Sequence, residues 1–364
     1  MTTAATLSLL IWLYLLLAHG RFWHSEPELA PSRPDLAAPV TVIVPARDEA
    51  LIIGQSLRSL LAQEYAGAVR IIVVDDGSTD GTGAIARGLG AVDVVDGKPR
   101  PLGWSGKLWA IAQGLAESDS ELVLLTDADI VHDPRHVATL VAQAERGDLD
   151  MVSEMVALAC DSPAEHALVP AFVFFFQLLY PFGWVNDPFR ATAAAAGGTI
   201  LIRRRALQRI GGIEAIRGAL IDDVALAAAV KRGGRIWLGH SGLARSARAY
   251  PTAGDIWRMI SRTAYVQLHF SPLLLLATTL AMLLTFLVPP LAALFSHGLA
   301  RWCGWLAWGA MAACYQPTLH RYHRSVLWAP ALPAIAAFYL AATIGSALNH
   351  HSGHGVAWKG RAYT

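Results

Sequence analysis

Two acidic clusters each end an unbroken apolar run, and this restricts the fold more than any other feature of the chain. Ile71-Ile72-Val73-Val74 leads into Asp75-Asp76-Gly77-Ser78-Thr79-Asp80, and Leu122-Val123-Leu124-Leu125-Thr126 leads into Asp127-Ala128-Asp129. Apolar runs without polar alternation read as strands buried on both faces, the pattern of a parallel sheet covered by helices. Each cluster then places carboxylates at a strand's C-terminal end, the edge at which open α/β sheets bind ligands.

The surrounding pattern agrees. Strands are expected over residues 40–46, 69–74, 91–95, 121–126 and 150–156. Helical periodicity occupies 49–63 and 106–116, Ser78-Thr79-Asp80 offers caps for a helix to Leu89, and Pro134 opens another. This alternation predicts a mostly parallel sheet with flanking helices. The 364 residues leave room for further elements, and 54% of them are hydrophobic, high for a wholly soluble protein. A net charge of +1 gives no electrostatic case for nucleic acid. Cys160, Cys303 and Cys314 are scattered, without zinc spacing or a disulfide framework, as expected for reduced thiols in a cytoplasmic setting.

The excess apolar sequence is concentrated at the ends. Residues 6–18 read as an anchor, not a signal peptide, because Arg21 and His24 follow the run and no basic residue precedes it; the run is short for a full span and reads also as an interfacial or tilted helix. Segments 273–295, 302–315 and 328–348 are membrane candidates, the first kinked at Pro289-Pro290. The positive-inside bias puts both the 320–324 loop and the Trp358-Lys359-Gly360-Arg361 tail in the cytoplasm, which one complete span between them forbids. The run 169–184, with Phe172-Val173-Phe174-Phe175-Phe176, reads equally as a buried core helix or as a helix lying in the headgroup plane. The expected organisation is an anchor (1–20), a linker (21–39), a catalytic domain (40–250), an interfacial helix (251–271), transmembrane helices (272–348) and a basic tail (349–364).

Alternate residues of an extended chain face the same way, so Asp127 and Asp129 can converge on one hard cation, Mg²⁺ or Mn²⁺, that holds a diphosphate. The layout points to group transfer from a nucleotide-diphosphate donor. Asp76 can accept hydrogen bonds from a ribose or base, although a loop aspartate is more often a turn former. Gly103-Trp104-Ser105-Gly106-Lys107 brings a lysine to a helix start, where it meets phosphate oxygens or stays solvated. His132 is a further metal ligand or only part of the cap before Pro134. Ala195-Ala196-Gly197-Gly198-Thr199 would let an acceptor approach. Asp222-Asp223 opens a helix; one carboxylate can cap it and the other act as a general base, or both only cap.

Together these motifs resemble the inverting family-2 glycosyltransferases over residues 40–268. The resemblance implies a nucleotide-sugar-binding, glycosyltransferase-A-type fold with N- and C-terminal transmembrane helices. It implies that Pro45, Ala46, Glu49 and Asp76 hold the nucleoside, that Lys107 lies near the diphosphate, and that Asp127 and Asp129 bind the metal. Asp223 would deprotonate the acceptor beside Asp222, with Gly197, Gly198 and Arg262 in the acceptor region. Two departures stand out. The family's common Tyr-Asn at the first strand exit is Arg47-Asp48, and the Gln-x-x-Arg-Trp signature of processive members lacks its Gln and Trp around Arg262. The ensemble of anchor, C-terminal segments and Trp-Lys-Gly-Arg tail is similar to bacterial hopene-associated glycosyltransferases. That similarity implies a UDP-sugar donor, a lipid acceptor in a hopanoid context, and a multi-pass inner-membrane enzyme with its catalytic domain in the cytoplasm. The alternatives are a polyprenyl-phosphate sugar transferase, a non-catalytic membrane scaffold and, less favoured, a nucleotidyltransferase, whose first strand would be followed by a glycine-rich basic loop.

Overall fold

The computed structural model describes residues 1–352 and the backbone of 357–358 and 361–362. Lys359 and Gly360 of the basic tail lie outside the described residues. The chain forms two compact units. One comprises residues 26–159 and 184–249, and the other comprises 1–25, 160–183 and 250–364.

The first unit is built on an eight-stranded sheet. Its strands are β1 (Val40–Ala46), β2 (Val69–Asp75), β3 (Asp93–Asp96), β4 (Leu122–Thr126), β5 (Ile130–His132), β6 (Met151–Ala157), β7 (Thr199–Arg203) and β8 (Ile236–Ser246), in the order β3-β2-β1-β4-β7-β6-β8-β5. The β3-β2-β1-β4 half and the β6–β8 pair are parallel, while β7 runs antiparallel to β4 and β6, and β5 antiparallel to β8. Every residue of β1 and β4 is buried, which explains their lack of polar alternation. The apolar sides meet helices through Val42, Val44, Ile53, Leu57, Leu124, Val137 and Val141. Parallel pairing aligns the exits of β1 and β2, so Ala46 and Asp75 are register partners at the same sheet edge.

The helix Gly106–Ala116 lies against this sheet. Ser105 caps it, its hydroxyl accepting from the Leu108 amide at 3.4 Å. Close approach is possible because residue 114 has no side chain: a Cβ there would sit 2.6 Å from Ile43 Cγ2 and 3.2 Å from Val74 Cγ2. Gly114→Ala gains helix propensity of about 1 kcal/mol, but the overlap with two buried strand residues outweighs it. A net loss of roughly 1–3 kcal/mol is expected, read as a lowered thermal midpoint; an unchanged or raised midpoint would show that the helix can shift freely.

The segment expected as a linker is partly structured. His240 of β8 donates its amide to the Pro27 carbonyl and accepts from the Leu29 amide, both at 2.8 Å, and Leu29 is buried. Beyond the end of β5 the outer side of β8 is unpaired, and this segment satisfies those backbone groups.

The second unit is helical. Pro272–Phe295 and Val326–His351 are long and apolar enough to cross a membrane, and only 17% of the most apolar 18-residue stretch of the first is buried. The Gly298–Arg321 helix, which contains the 302–315 candidate, and the shorter Thr2–Leu17 helix pack together through Ala5, Ala300 and Cys303. The expected irregularity before Pro289-Pro290 is a π-helical turn, Leu283–Leu287. Proline at 289 has no N–H for the Thr285 carbonyl, and the Trp12 indole N–H bonds that carbonyl instead, at 2.7 Å. The phenylalanine-rich run lies in one helix, Pro163–Leu179: Phe174 packs on Phe22 and Tyr315, with ring centroids 5.4 and 5.2 Å away. Phe172, Phe175 and Phe176 are half-buried.

Candidate active site

Six of the residues singled out in the sequence line one cleft at the carboxyl edge of the sheet: Pro45, Lys107, Asp127, Gly197, Asp222 and Asp223. They come from five parts of the chain, Gly197 from the loop before β7. β1 ends at Pro45-Ala46, the Gly106–Ala116 helix begins beside Lys107, β4 delivers Asp127, and Asp222 and Asp223 form the first turn of the Asp222–Lys231 helix.

Lys107 is the electrostatic centre. Its Nζ lies 2.8 Å from Asp127 Oδ1 and 3.3 Å from Asp222 Oδ2. Burial works against the lysine charge, but Asp127, Asp222 and Asp223 outweigh it and hold its pKa above the ordinary lysine value. Asp223 is pushed up to about 7 by burial and by the neighbouring Asp222 charge, against the opposing pull of Lys107. A carboxyl in that range exchanges a proton near neutral pH, as general-base chemistry requires. Asp223 Oδ1 also accepts the Val224 amide at 2.8 Å, which fixes the side chain at the helix start. Asp222 is committed to Lys107 and makes no side-chain cap. The base-and-partner arrangement is therefore compatible with the geometry, and helix capping is the smaller part of it.

Gly197 stands over this base. A Cβ at that position would lie 3.1 Å from Asp223 Oδ2 and 3.4 Å from Lys107 Nζ, so a side chain would fill the approach to both. The Gly198 carbonyl accepts the Asp127 amide at 3.2 Å and the Thr126 hydroxyl at 2.9 Å, tying this loop to the β4 exit.

The other residues fall nearby in sequence but into different contacts. Asp129 Oδ2 accepts from Arg248 Nε at 2.8 Å, and the same guanidinium reaches both Glu49 oxygens at 2.6 and 2.7 Å. Asp76 is buried, its amide bonded to the Ala46 carbonyl at 2.9 Å, with the Arg47 guanidinium 3.9 Å from its carboxylate. Arg262 belongs to the Ala253–Gln267 helix of the helical unit and is not among the residues lining the cleft. His132 is a core residue, buried against His136 at 2.9 Å.

Among the described residues, no three His, Cys, Asp or Glu side chains converge as a cation cage. Asp127 and Asp129 supply two carboxylates on one turn, and the Asp129 charge is felt at Asp127, whose pKa is raised by burial first and by Asp129 in addition, against Lys107. Two protein carboxylates are what Mg²⁺ or Mn²⁺ takes when phosphates supply its other ligands; here Asp127 is held by Lys107 and Asp129 by Arg248.

Arg248 is the residue that sequence reasoning missed. It lies just after β8, 119 positions from Asp129 and 199 from Glu49, so local pattern carries no trace of the pairing. The only available signal was a surplus of basic residues, Arg245 and Arg248, where a buried strand ends.

Residues 41–211 match the family described as Glycosyl transferase family 2. A stretch of 93 residues is 41% identical to 4,4'-diaponeurosporenoate glycosyltransferase of Staphylococcus aureus (strain MRSA252), covering 25% of this chain and 24% of that protein. The chain thus spans about a quarter of the length of the curated relatives it matches. The solved structure of the mannosyltransferase PcManGT from Pyrobaculum calidifontis, in complex with GDP-Man and Mn²⁺, is similar with a TM-score of 0.61 over 96% of this chain and 99% of that chain. Its 21% identity makes that a likeness of fold. The mixed sheet, the acidic exit of β4 and the family match over residues 41–211 agree on a glycosyltransferase with a glycosyltransferase-A-like fold.

Proposed function

We propose that the protein is a membrane-bound inverting glycosyltransferase that moves a sugar from a nucleotide-diphosphate donor, first of all a UDP-sugar, to a lipid acceptor. The observation that carries this reading is the meeting of Asp127, Lys107 and Asp223 in one cleft beneath Gly197. Pro45, Ala46, Glu49 and Asp76 surround the β1 and β2 exits, where a nucleoside would dock. Asp127 and Asp129 would hold Mg²⁺ or Mn²⁺, which when bound neutralises the leaving diphosphate. Lys107 places a fixed positive charge beside the same diphosphate. Asp223 takes the proton of the acceptor hydroxyl as its oxygen attacks the anomeric carbon from the face opposite the leaving group, and Gly197 leaves the space for that approach.

The lipid acceptor and the membrane location rest on the two apolar helices and on outward-facing Leu273, Leu276 and Leu280 of the first. We assign the protein to a bacterial inner membrane, multi-pass, with the sheet unit cytoplasmic, and hopanoid-like polycyclic lipids as the first acceptors to test. The relative named for diaponeurosporenoate supports a second acceptor class. A carboxylate acceptor, like a polyprenyl phosphate, is already ionised and needs no base.

The test is transfer from labelled UDP- and GDP-sugars to a bacterial lipid extract by the full chain in detergent, with and without Mn²⁺. Labelled lipid formed only with the cation is expected; the absence of transfer and of donor binding across the donor panel would defeat the proposal. For a hydroxyl acceptor, kcat/KM is expected to rise with pH and level off above about 7, because Asp223 is a base only after losing its proton. A profile flat from pH 5.5 to 8.5 would assign the proton elsewhere.

A further inference from the structure

Beneath the cleft, three buried ionisable side chains run in line from the sheet core to the β4 exit. His132, His136 and Glu154 are 4%, 0% and 0% exposed. Thr126 Oγ1 lies 3.3 Å from His132 Nε2, His132 Nδ1 lies 2.9 Å from His136 Nδ1, and His136 Nε2 lies 2.5 Å from Glu154 Oε1.

The proton positions follow from counting. The Thr126 hydroxyl has one proton, and it goes to the Gly198 carbonyl. Thr126 can therefore only accept from His132, so the His132 proton is on Nε2. His132 Nδ1 is then a lone pair, and His136 must donate to it from Nδ1. His136 Nε2 faces the Glu154 carboxylate in close contact, which orients the ring so that its Nδ1 meets His132. Burial first, and the adjacent His136 second, hold the His132 pKa well below the ordinary histidine value, which agrees with a neutral ring.

A polar trio in this place is costly. Packed apolar residues of the same volume are often equally or more stabilising than buried charges. What the trio supplies, and an apolar core cannot, is an N–H aimed at Thr126. That N–H leaves the Thr126 proton for Gly198, whose carbonyl also takes the Asp127 amide. The next residue, Gly197, sets the clearance over Asp223.

We propose that His132, held in its Nε2–H form by His136 and Glu154, is a positioning residue that locks the Thr126–Gly198 clasp and so fixes the Asp127 exit against the Gly197 loop. The catalytic consequence rests on the glycosyltransferase reading, while the clasp itself does not.

Two measurements separate these levels. In the full chain labelled with ¹⁵N-histidine, the His132 ring is expected as the Nε2–H tautomer, and His132→Phe is expected to raise hydrogen exchange at the Asp127 amide at least tenfold. His132→Gln, whose side-chain N–H can replace Nε2–H, should restore protection. In the transfer assay, His132→Phe and Thr126→Val should each lower kcat roughly 10–100-fold, the range for supporting contacts around a site, at unchanged donor KM, with His132→Gln within threefold of the parent. An Nδ1–H tautomer at His132, or unchanged exchange in His132→Phe, overturns the clasp. Intact exchange effects with equal kcat in Phe and Gln variants overturn its role in turnover. Exchange effects in a protein with no transfer activity leave the clasp standing and defeat the glycosyltransferase reading instead.

Discussion

Asp223→Asn is expected to lower kcat with a hydroxyl acceptor by roughly 10²–10⁴-fold, the usual contribution of a positioned base, with donor affinity within about twofold of the parent. Asparagine keeps an oxygen that can accept the Val224 amide, so the helix start is preserved while the proton acceptor is lost. The substitution also has a stability signature. The folded-state pKa of Asp223 is about 7, above that of an unfolded aspartate, so the native state holds this proton more tightly. Its stabilising contribution is present at acid pH, below the unfolded value, and is lost as pH rises through about 7. Asparagine has no such loss. Relative to the parent, the variant should therefore gain thermal stability between pH 5 and pH 8. Full turnover in Asp223→Asn with a hydroxyl acceptor would remove the base assignment. Full turnover only with a carboxylate or phosphate acceptor would identify an acceptor that arrives ionised.

The second large effect is expected at Lys107. Lys107→Met keeps most of the volume and removes the one cation that Asp127 and Asp222 share. Breaking a buried pair costs about 3–5 kcal/mol. With Lys107 21% and Asp127 35% exposed, solvent screening reduces this to roughly 1–3 kcal/mol. The sign of the pH dependence is fixed. Without the lysine the native carboxylates bind protons more readily than in the parent, so the variant loses stability as pH rises and approaches the parent as pH falls. Thermal midpoints at pH 5 and 8 measure this. Catalysis should fall as well, by about 10²-fold, because a charge fixed beside the diphosphate acts in a partly water-excluded site. A pH-independent change in midpoint would mean that Lys107 contributes packing and not charge.

Several site residues were legible because their signal is local. Asp127 and Asp129 follow an apolar strand directly, Lys107 follows a capping serine at a helix start, and Asp223 opens a helix. Each of these depends on backbone geometry within a few residues, which sequence pattern encodes. The pairing of Arg248 with Glu49 and Asp129 has no local component. The line from Glu154 through two histidines to Thr126 is local only in part: His132 lies four residues from His136 and six from Thr126, and the link to Glu154 on β6 is the one that local pattern does not carry. Local pattern leaves His132 and Asp133 between a further metal ligand and a cap; Asp133 accepts the Arg135 amide, while His132 points inward from the Ile130–His132 strand to His136 at the start of the His136–Arg146 helix.

By itself, the sequence determined the alternation of strands and helices, the acidic edge of the sheet and the apolar ends of the chain, since each is set by short-range periodicity and by the carboxylates that terminate buried strands. Only the tertiary structure decided that the sheet is mixed, with β7 reversed between β4 and β6, that Phe174 of the phenylalanine-rich run is core, and which cation each carboxylate holds. The physical reason is range: strand and helix patterns follow from the covalent chain's own repeat, whereas a salt bridge or a strand order joins residues whose separation along the chain carries no energy until the chain has folded.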